Sequence, residues 1–567
     1  MDEITPDLVA RIATRLYNEP ATTGAAPALP EATLPQPPSE ANHAPVSQST
    51  HPAPPRGWST PVSAPTAPSP ATAPSLPMSA PFSSPHFLSS TPSSIPTLPS
   101  EHSLPGFAGA PNPGVAPAAP TSGLRDFVAG VRQTRVTPGA GASLAPTHRP
   151  LFAGGAPIGM GSRPLDVPAI REDFPILRQR VHGKPLAWLD NAATTQKPQC
   201  VIDEIKRFYE QDNSNIHRAA HTLAARATDA YEKARQKAQT FLGASSVKEI
   251  VFVRGTTEGI NLVTQTFGRK FLQPGDEVVL STLEHHANIV PWQMVAKEKQ
   301  AVLRVIPVND RGEIMLEEYQ KILGPRTKVV ALTQASNSLG TILPVAEMTQ
   351  MAKRHGARVL IDGAQSVAHL PVNMQELGCD FFVFSGHKIF GPTGIGVVFI
   401  KEELHDILPP WQGGGNMIRN VTFEETTFAD APGRFEAGTP NIADAVGLGA
   451  ALDYVNRLGL PNIAAYEHEL LDYATERLLK INGLRLIGTA RDKVGVLSFV
   501  LPNRRTEDIG RMLDQEGIAV RSGHHCSQPS LRRFGVETTV RPSLSLYNTI
   551  AEIDRLADAV KRIQLQP

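Results

Sequence analysis

Residues 381–395 read Phe381-Phe382-Val383-Phe384-Ser385-Gly386-His387-Lys388-Ile389-Phe390-Gly391-Pro392-Thr393-Gly394-Ile395. Four large apolar residues in succession predict a short strand buried on both faces, and the serine, glycines and proline that follow end it. A lysine at the mouth of such a strand, next to a glycine, is poorly placed as an ordinary solvated side chain. Working outward, the same pattern recurs. Glu249–Val253, Glu277–Leu280, Lys328–Leu332, Arg358–Ile361 and Gly396–Ile400 are further strand-like runs, with helical periodicity between several of them. Strand and helix in alternation predict an α/β fold with a mainly parallel sheet covered on both faces. In such sheets ligands sit beyond the carboxyl ends of the strands.

The chemistry-bearing residues lie at those ends. Ile361-Asp362-Gly363-Ala364-Gln365 puts an acid at a second strand end, where a buried carboxylate needs a cationic partner such as a protonated cofactor ring. In Arg254-Gly255-Thr256-Thr257-Glu258-Gly259 a strand turns into a helix, presenting free backbone N–H groups and two hydroxyls, the outline of a phosphate site. Glu284-His285-His286-Ala287-Asn288 follows another strand, and beside a cofactor one of its histidines could stack on the ring.

Length and composition bound what surrounds this core. The chain has 567 residues, and 30 of its 52 prolines fall in the first 150, where Ala, Ser, Thr and Gly fill most other positions. Such a stretch cannot bury enough apolar surface to offset its ordering entropy, so disorder is expected over residues 1–165. Two short amphipathic helices are expected inside it, one starting at Thr5-Pro6-Asp7, the other carrying Leu124, Phe127, Val128 and Val131. Residues 166–455 are expected to form a large cofactor-binding domain and residues 456–567 a smaller α/β one. Basic and acidic residues number 54 each, so no bulk charge points to nucleic acid or to an anionic membrane. Three cysteines, Cys200, Cys379 and Cys526, form no CxxC pair, which argues for a reducing, cytoplasmic setting and against a structural metal. No run of about 18 apolar residues is present to span a membrane. Arg521, His524 and His525 surround Cys526, and cationic neighbours favour a thiolate; Cys200 and Cys379 read as packing residues.

Together these segments resemble the SufS-like, second-type cysteine desulfurases of the class V aminotransferase family. Leu189-Asp190-Asn191-Ala192-Ala193-Thr194, Asn215-Ile216-His217-Arg218, the RGTTEGINLV stretch from Arg254, EHHANIVPWQ from Glu284, SNSLGT from Ser336, DGAQ from Asp362, SGHK from Ser385, RFEAGTPN from Arg434, RSGHHC from Arg521 and RPSLSLYNT from Arg541 carry the likeness. It spans roughly Ile170 to Ile563. The resemblance implies fold type I of the pyridoxal-phosphate-dependent transferases and conversion of L-cysteine to L-alanine, with sulfur retained as a persulfide on Cys526. It implies that Lys388 binds pyridoxal 5'-phosphate covalently, Asp362 pairs with its ring nitrogen, Gln365 bonds the ring hydroxyl and His285 stacks on the ring. Thr257, Ser385 and His387 would hold the phosphate, with Thr439 reaching the phosphate of the neighbouring subunit of a homodimer. Arg541 would clamp the substrate carboxylate, with Asn337, His217 and Arg521 nearby.

Ser527-Gln528-Pro529-Ser530 departs from the Ala-x-Pro form associated with that group, which bears on the sulfur-accepting partner protein. The Pro/Ala/Ser-rich N-terminal extension resembles that of cargo desulfurases packed inside family 2A encapsulin shells. Other readings are an unencapsulated SufS/CsdA-type desulfurase or selenocysteine lyase serving iron–sulfur cluster assembly, and a catalytically silent scaffold. A scaffold would need none of Lys388, Asp362, Cys526 and Arg541.

Overall fold

The computed structural model describes residues 165–217 and 221–566. The two N-terminal helices expected from the sequence, the extension that carries them, and Arg218 lie outside the described residues.

Seven strands form the central sheet: β1 (Ile250–Val253), β2 (Glu277–Ser281), β3 (Val302–Ile306), β4 (Thr327–Thr333), β5 (Arg358–Asp362), β6 (Phe381–Ser385) and β7 (Gly396–Ile400). Their spatial order is β1-β7-β6-β5-β4-β2-β3. Only β7 runs against its neighbours, pairing antiparallel with β1 and β6, so the other six strands end at one edge. Every residue of β1, β2, β6 and β7 is buried, the reason these runs are apolar throughout and do not alternate. The side chains still divide by parity. Val279, Val330, Ile361, Phe382, Phe384 and Val397 join one apolar cluster, while Val278, Leu280, Leu360, Phe381, Val383 and Val398 join another on the opposite face. The sheet is thus covered on both sides.

Helix α1 (Thr222–Leu242) and helix α3 (Ile442–Leu458) belong to the first of these layers. They approach closely at Gly449, where an added Cβ would lie 3.2 Å from that of Ala234. Helix α2 (Thr256–Val263) leaves the end of β1 and lies on the second face. At Gly259 an added Cβ would meet Val398 at 2.7 Å and Val383 at 3.1 Å, so the absent side chain lets the helix settle onto the sheet.

A second, antiparallel sheet lies within residues 456–567: β8 (Arg485–Ile487), β9 (Ser498–Val500), β10 (Arg521–Gly523) and β11 (Thr539–Arg541), in the order β8-β9-β11-β10. It has its own apolar cluster, including Phe499, Val540, Leu470, Ile553 and Val560. Ala187 and Trp188 pair in parallel with Ile518 and Ala519, and Asp190 bridges to Ser543, which brings the chain around Asp190 between the two sheets. Cys379 is buried as expected. Cys200 lies in the first turn of the expected helix, Gln199–Arg207, and is exposed there while the adjacent Val201 is buried; the expectation of a packing residue is corrected.

Candidate active site

The carboxyl ends of the parallel strands and the β10–β11 hairpin enclose a cavity of about 400 Å³. Eleven of the thirteen residues singled out in the sequence line it: Thr257, His285, Asn337, Asp362, Gln365, Ser385, His387, Lys388, Arg521, Cys526 and Arg541. His217 and Thr439 do not. They line a separate pocket with Asn215, whose amide donates to Thr439 Oγ1 at 3.3 Å, while the His217 ring bonds Asn416 and Glu232.

Lys388 ends a short turn, Gly386–Lys388, that follows β6. The carbonyl of His387 accepts from the Thr195 N–H, the Thr194 hydroxyl and the Lys197 ammonium, so the backbone just before Lys388 is anchored from three directions. Burial pushes the Lys388 amine down to about 8 against the attraction of Asp362. Asp362 ends β5, is 3% exposed and accepts from the Ala364 N–H at 2.9 Å; burial raises its pKa. The Gln365 amide donates to the Ala192 carbonyl.

At the start of α2, the Thr256 N–H donates to Ser385 Oγ at 2.9 Å. Gly255 has φ 153°, and a Cβ there would sit 3.1 Å from Ser385 Oγ. The first turn of α2 and the end of β6 therefore converge with no side chain between them, and Thr257, Ser385 and His387 line the cavity beside that helix start, where an anion is favoured. His387 is held neutral, pushed down to about 4 by burial and by the neighbouring Lys388 and Lys197. His285 is pushed down to about 3 by burial and by Lys388, and its Nδ1 accepts from the Ala287 N–H, which places its proton on Nε2.

On the other side of the cavity Arg541, 2% exposed, donates to the Asn337 carbonyl at 2.9 Å and to Asp190 at 3.2 Å. Arg521 donates to both oxygens of the same carboxylate. Two guanidinium groups thus share one counter-ion, and Nε of Arg541 is buried with no partner among the described residues. Burial lowers the Arg541 pKa to about 10. Cys526 follows β10 in a turn where His525 and Cys526 have φ of 53° and 54°, the left-handed region that non-glycine residues seldom adopt. The turn is tied down by the Asn337 amide, which donates to the His525 carbonyl at 2.6 Å, and by Ser527 Oγ, which donates to Asn337 at 2.6 Å. The Cys526 residue is exposed while lining the cavity.

Sequence reasoning missed three contributors. Asp190, within a quoted motif, had no role attached; its signal was an acid ending the apolar run Leu186–Leu189. Glu284 is fully buried beneath the site, pushed up to about 7 by burial, and takes hydrogen bonds from Ser281, Asn288 and the Thr333 N–H. Lys197 carried no signal, since its environment arises only when residues 194–197 meet 387.

These residues fit pyridoxal phosphate. A buried lysine with a depressed pKa suits covalent attachment, a buried acid suits a ring nitrogen, and the Gly255 cradle suits a phosphate. The unpartnered Arg541 Nε suits a substrate carboxylate.

The aminotransferase class-V family model matches residues 187–556. A cysteine desulfurase of Synechococcus elongatus is 62% identical over 404 residues, 71% of this chain and 64% of that protein. The match thus spans a little under two thirds of that relative's length. A cysteine desulfurase of Dickeya dadantii is 51% identical over 70% of this chain and 97% of its own. Among solved structures, the Escherichia coli cysteine desulfurase CsdA in its S-sulfonic acid form superposes with a TM-score of 0.66 at 39% identity, covering 70% of this chain and 98% of that one.

Proposed function

Because the chain belongs to the class V aminotransferase family and has the fold type I architecture of pyridoxal-phosphate-dependent transferases, we propose that it is a cysteine desulfurase, converting L-cysteine to L-alanine with sulfur transfer to Cys526. One observation carries this: an exposed cysteine lines the same cavity as a buried lysine with a depressed pKa and a buried arginine with an open donor. When bound, the cofactor supplies an electron sink for charge developing at the substrate α-carbon.

The chain's own residues do the rest. Arg541 orients the substrate through its carboxylate, and Asn337 holds both the Arg541 guanidinium and the Cys526 turn. Lys388, with a pKa near 8, keeps a usable neutral fraction at neutral pH to move the α proton. Asp362 would pair with the cofactor's ring nitrogen and favour its protonated form, and the neutral His285 would face the ring. Cys526 Sγ then attacks the substrate sulfur. The carbon–sulfur bond breaks, a sulfur–sulfur bond forms, and the electron pair stays with the β-carbon, which takes a proton. Cysteine plus thiol become alanine plus persulfide, with no outside oxidant.

Purified Cys526→Ser is expected to bind cysteine but release almost no alanine, since a hydroxyl is a poor sulfur acceptor. Alanine at the wild-type rate would remove Cys526 from the reaction. Lys388→Ala is expected to lose the covalent link to the cofactor.

Two extensions rest on composition and likeness. The proline-rich residues 1–165 are an address that loads the enzyme into an encapsulin shell, leaving residues 166–455 and 456–567 as the two catalytic domains. A chain beginning at Asp166 is then expected to stay active on cysteine yet remain outside a co-expressed shell; packaging equal to that of the full chain leaves the unencapsulated SufS/CsdA type as the assignment. The second extension is a homodimer, in which the pocket holding Thr439 and His217 meets the neighbouring subunit's cofactor site. Thr439→Ala is expected to weaken cofactor retention only in the dimer.

A further inference from the structure

The turn that carries Cys526 is held by two histidines to which the proposed reaction gives no role. The backbone N–H of Cys526 donates to His524 Nδ1 at 3.0 Å. The Cys526 carbonyl accepts from the His286 N–H at 2.8 Å, and the Gln528 N–H donates to His286 Nε2 at 3.2 Å. The two rings stack on each other, centroids 5.7 Å apart and planes 27° from parallel. His286 reaches the turn from the loop after β2, His524 from the turn itself. Two backbone N–H groups at and beside the cysteine are therefore satisfied by two side chains standing against each other, and the Cys526 carbonyl by the backbone of one of the same two residues.

The conformation they hold needs support. Two successive non-glycine residues in the left-handed region cost of order 1–2 kcal/mol each, so the turn persists only where its surroundings over-determine it. The His524 contact is an imidazole version of an Asx turn, a side-chain acceptor at position i taking the N–H at i+2. Both accepting nitrogens must be unprotonated, which fixes His524 as the Nε2–H tautomer and His286 as the Nδ1–H tautomer.

We infer that His524 and His286 are positioning residues that form a stacked clamp, holding Cys526 Sγ in reach of the substrate sulfur. This inference rests on the desulfurase reading for its kinetic consequence but not for its structural one. The clamp acts through hydrogen-bond acceptors, so the acceptor matters and not the ring. His524→Asn and His286→Gln keep an oxygen near the accepting nitrogen, whereas His524→Ala and His286→Ala remove it.

The test uses the cofactor-loaded full chain and its four single variants. Hydrogen exchange at the Cys526 amide is expected to quicken about tenfold in His524→Ala, and at the Gln528 amide in His286→Ala, with Asn and Gln restoring protection. In cysteine turnover, the Ala variants are expected to lose about tenfold in kcat with KM changed less than twofold, and the Asn and Gln variants to recover most of it. Unchanged exchange in the Ala variants overturns the clamp. Quickened exchange with unchanged kcat overturns its positioning role, and Ala and Asn variants of equal kcat overturn the acceptor argument. If the wild-type enzyme forms no alanine from cysteine, the desulfurase reading fails, and exchange alone decides the clamp.

Discussion

Asp190 shows how one residue can set the electrostatics of a whole site. Its carboxylate stands between Arg521 and Arg541, the second of which is almost wholly enclosed. Taking away that charge leaves a buried guanidinium facing a like charge with one carbonyl for support. Asp190→Asn is therefore expected to cost about 3–5 kcal/mol of stability, read as a fall in the urea midpoint. Adding Arg541→Met to that variant is expected to recover much of the loss, because the uncompensated ion is then gone; a double variant as weak as the single one would show that Asp190 acts by packing. The sequence marks Asp190 as an acid ending an apolar run but not what it pairs with, since its two partners lie 331 and 351 positions away. Lys388 and Asp362 were legible because each ends an apolar strand of the central sheet with turn residues beside it, a local contrast written in consecutive residues.

Among the elements, α2 is the one whose seating matters most for cofactor retention. Gly259→Ala would gain up to about 1 kcal/mol in helix propensity. The new methyl, however, would stand 2.7 Å from Val398 and 3.1 Å from Val383, both fixed in the sheet. Overpacking of this kind costs about 1–3 kcal/mol, so it outweighs the propensity gain. The helix must retreat, carrying Thr256 and Thr257 with it, and a roughly tenfold weaker hold on pyridoxal phosphate is expected by equilibrium dialysis; unaltered affinity would mean that the helix start does not position the phosphate. Six strands were readable from apolar runs. The edge strand β3 was not, because three of its five residues are exposed and Arg304 stands at its centre. An edge strand is held by the hydrogen bonds of one neighbour, and a sequence does not display its neighbours.

At the scale of the whole molecule, the buried imidazoles make the cofactor-free protein acid-sensitive. His285, His387 and His525 are pushed down to about 3, 4 and 2, chiefly by burial, from an unfolded value of 6.5. A group whose folded pKa is depressed binds its proton first in the unfolded chain. Stability from these three is therefore full above pH 6.5 and is lost as pH falls, by up to about 1.4 kcal/mol per pH unit from each. Urea midpoints at pH 7, 6 and 5 are expected to drop with that slope, and His525→Asn is expected to flatten it by about a third; a midpoint level across that range would contradict the burial argument.

The chain's three thiols also differ in access: Cys200 and Cys526 are exposed, while Cys379 is enclosed. A colorimetric thiol reagent should accordingly count two equivalents on the native enzyme and a third only after denaturation. Replacing Cys200 by serine would leave a single addressable sulfur on the folded protein. A fluorophore or spin label placed there would report on the sulfur-carrying turn alone, without further engineering.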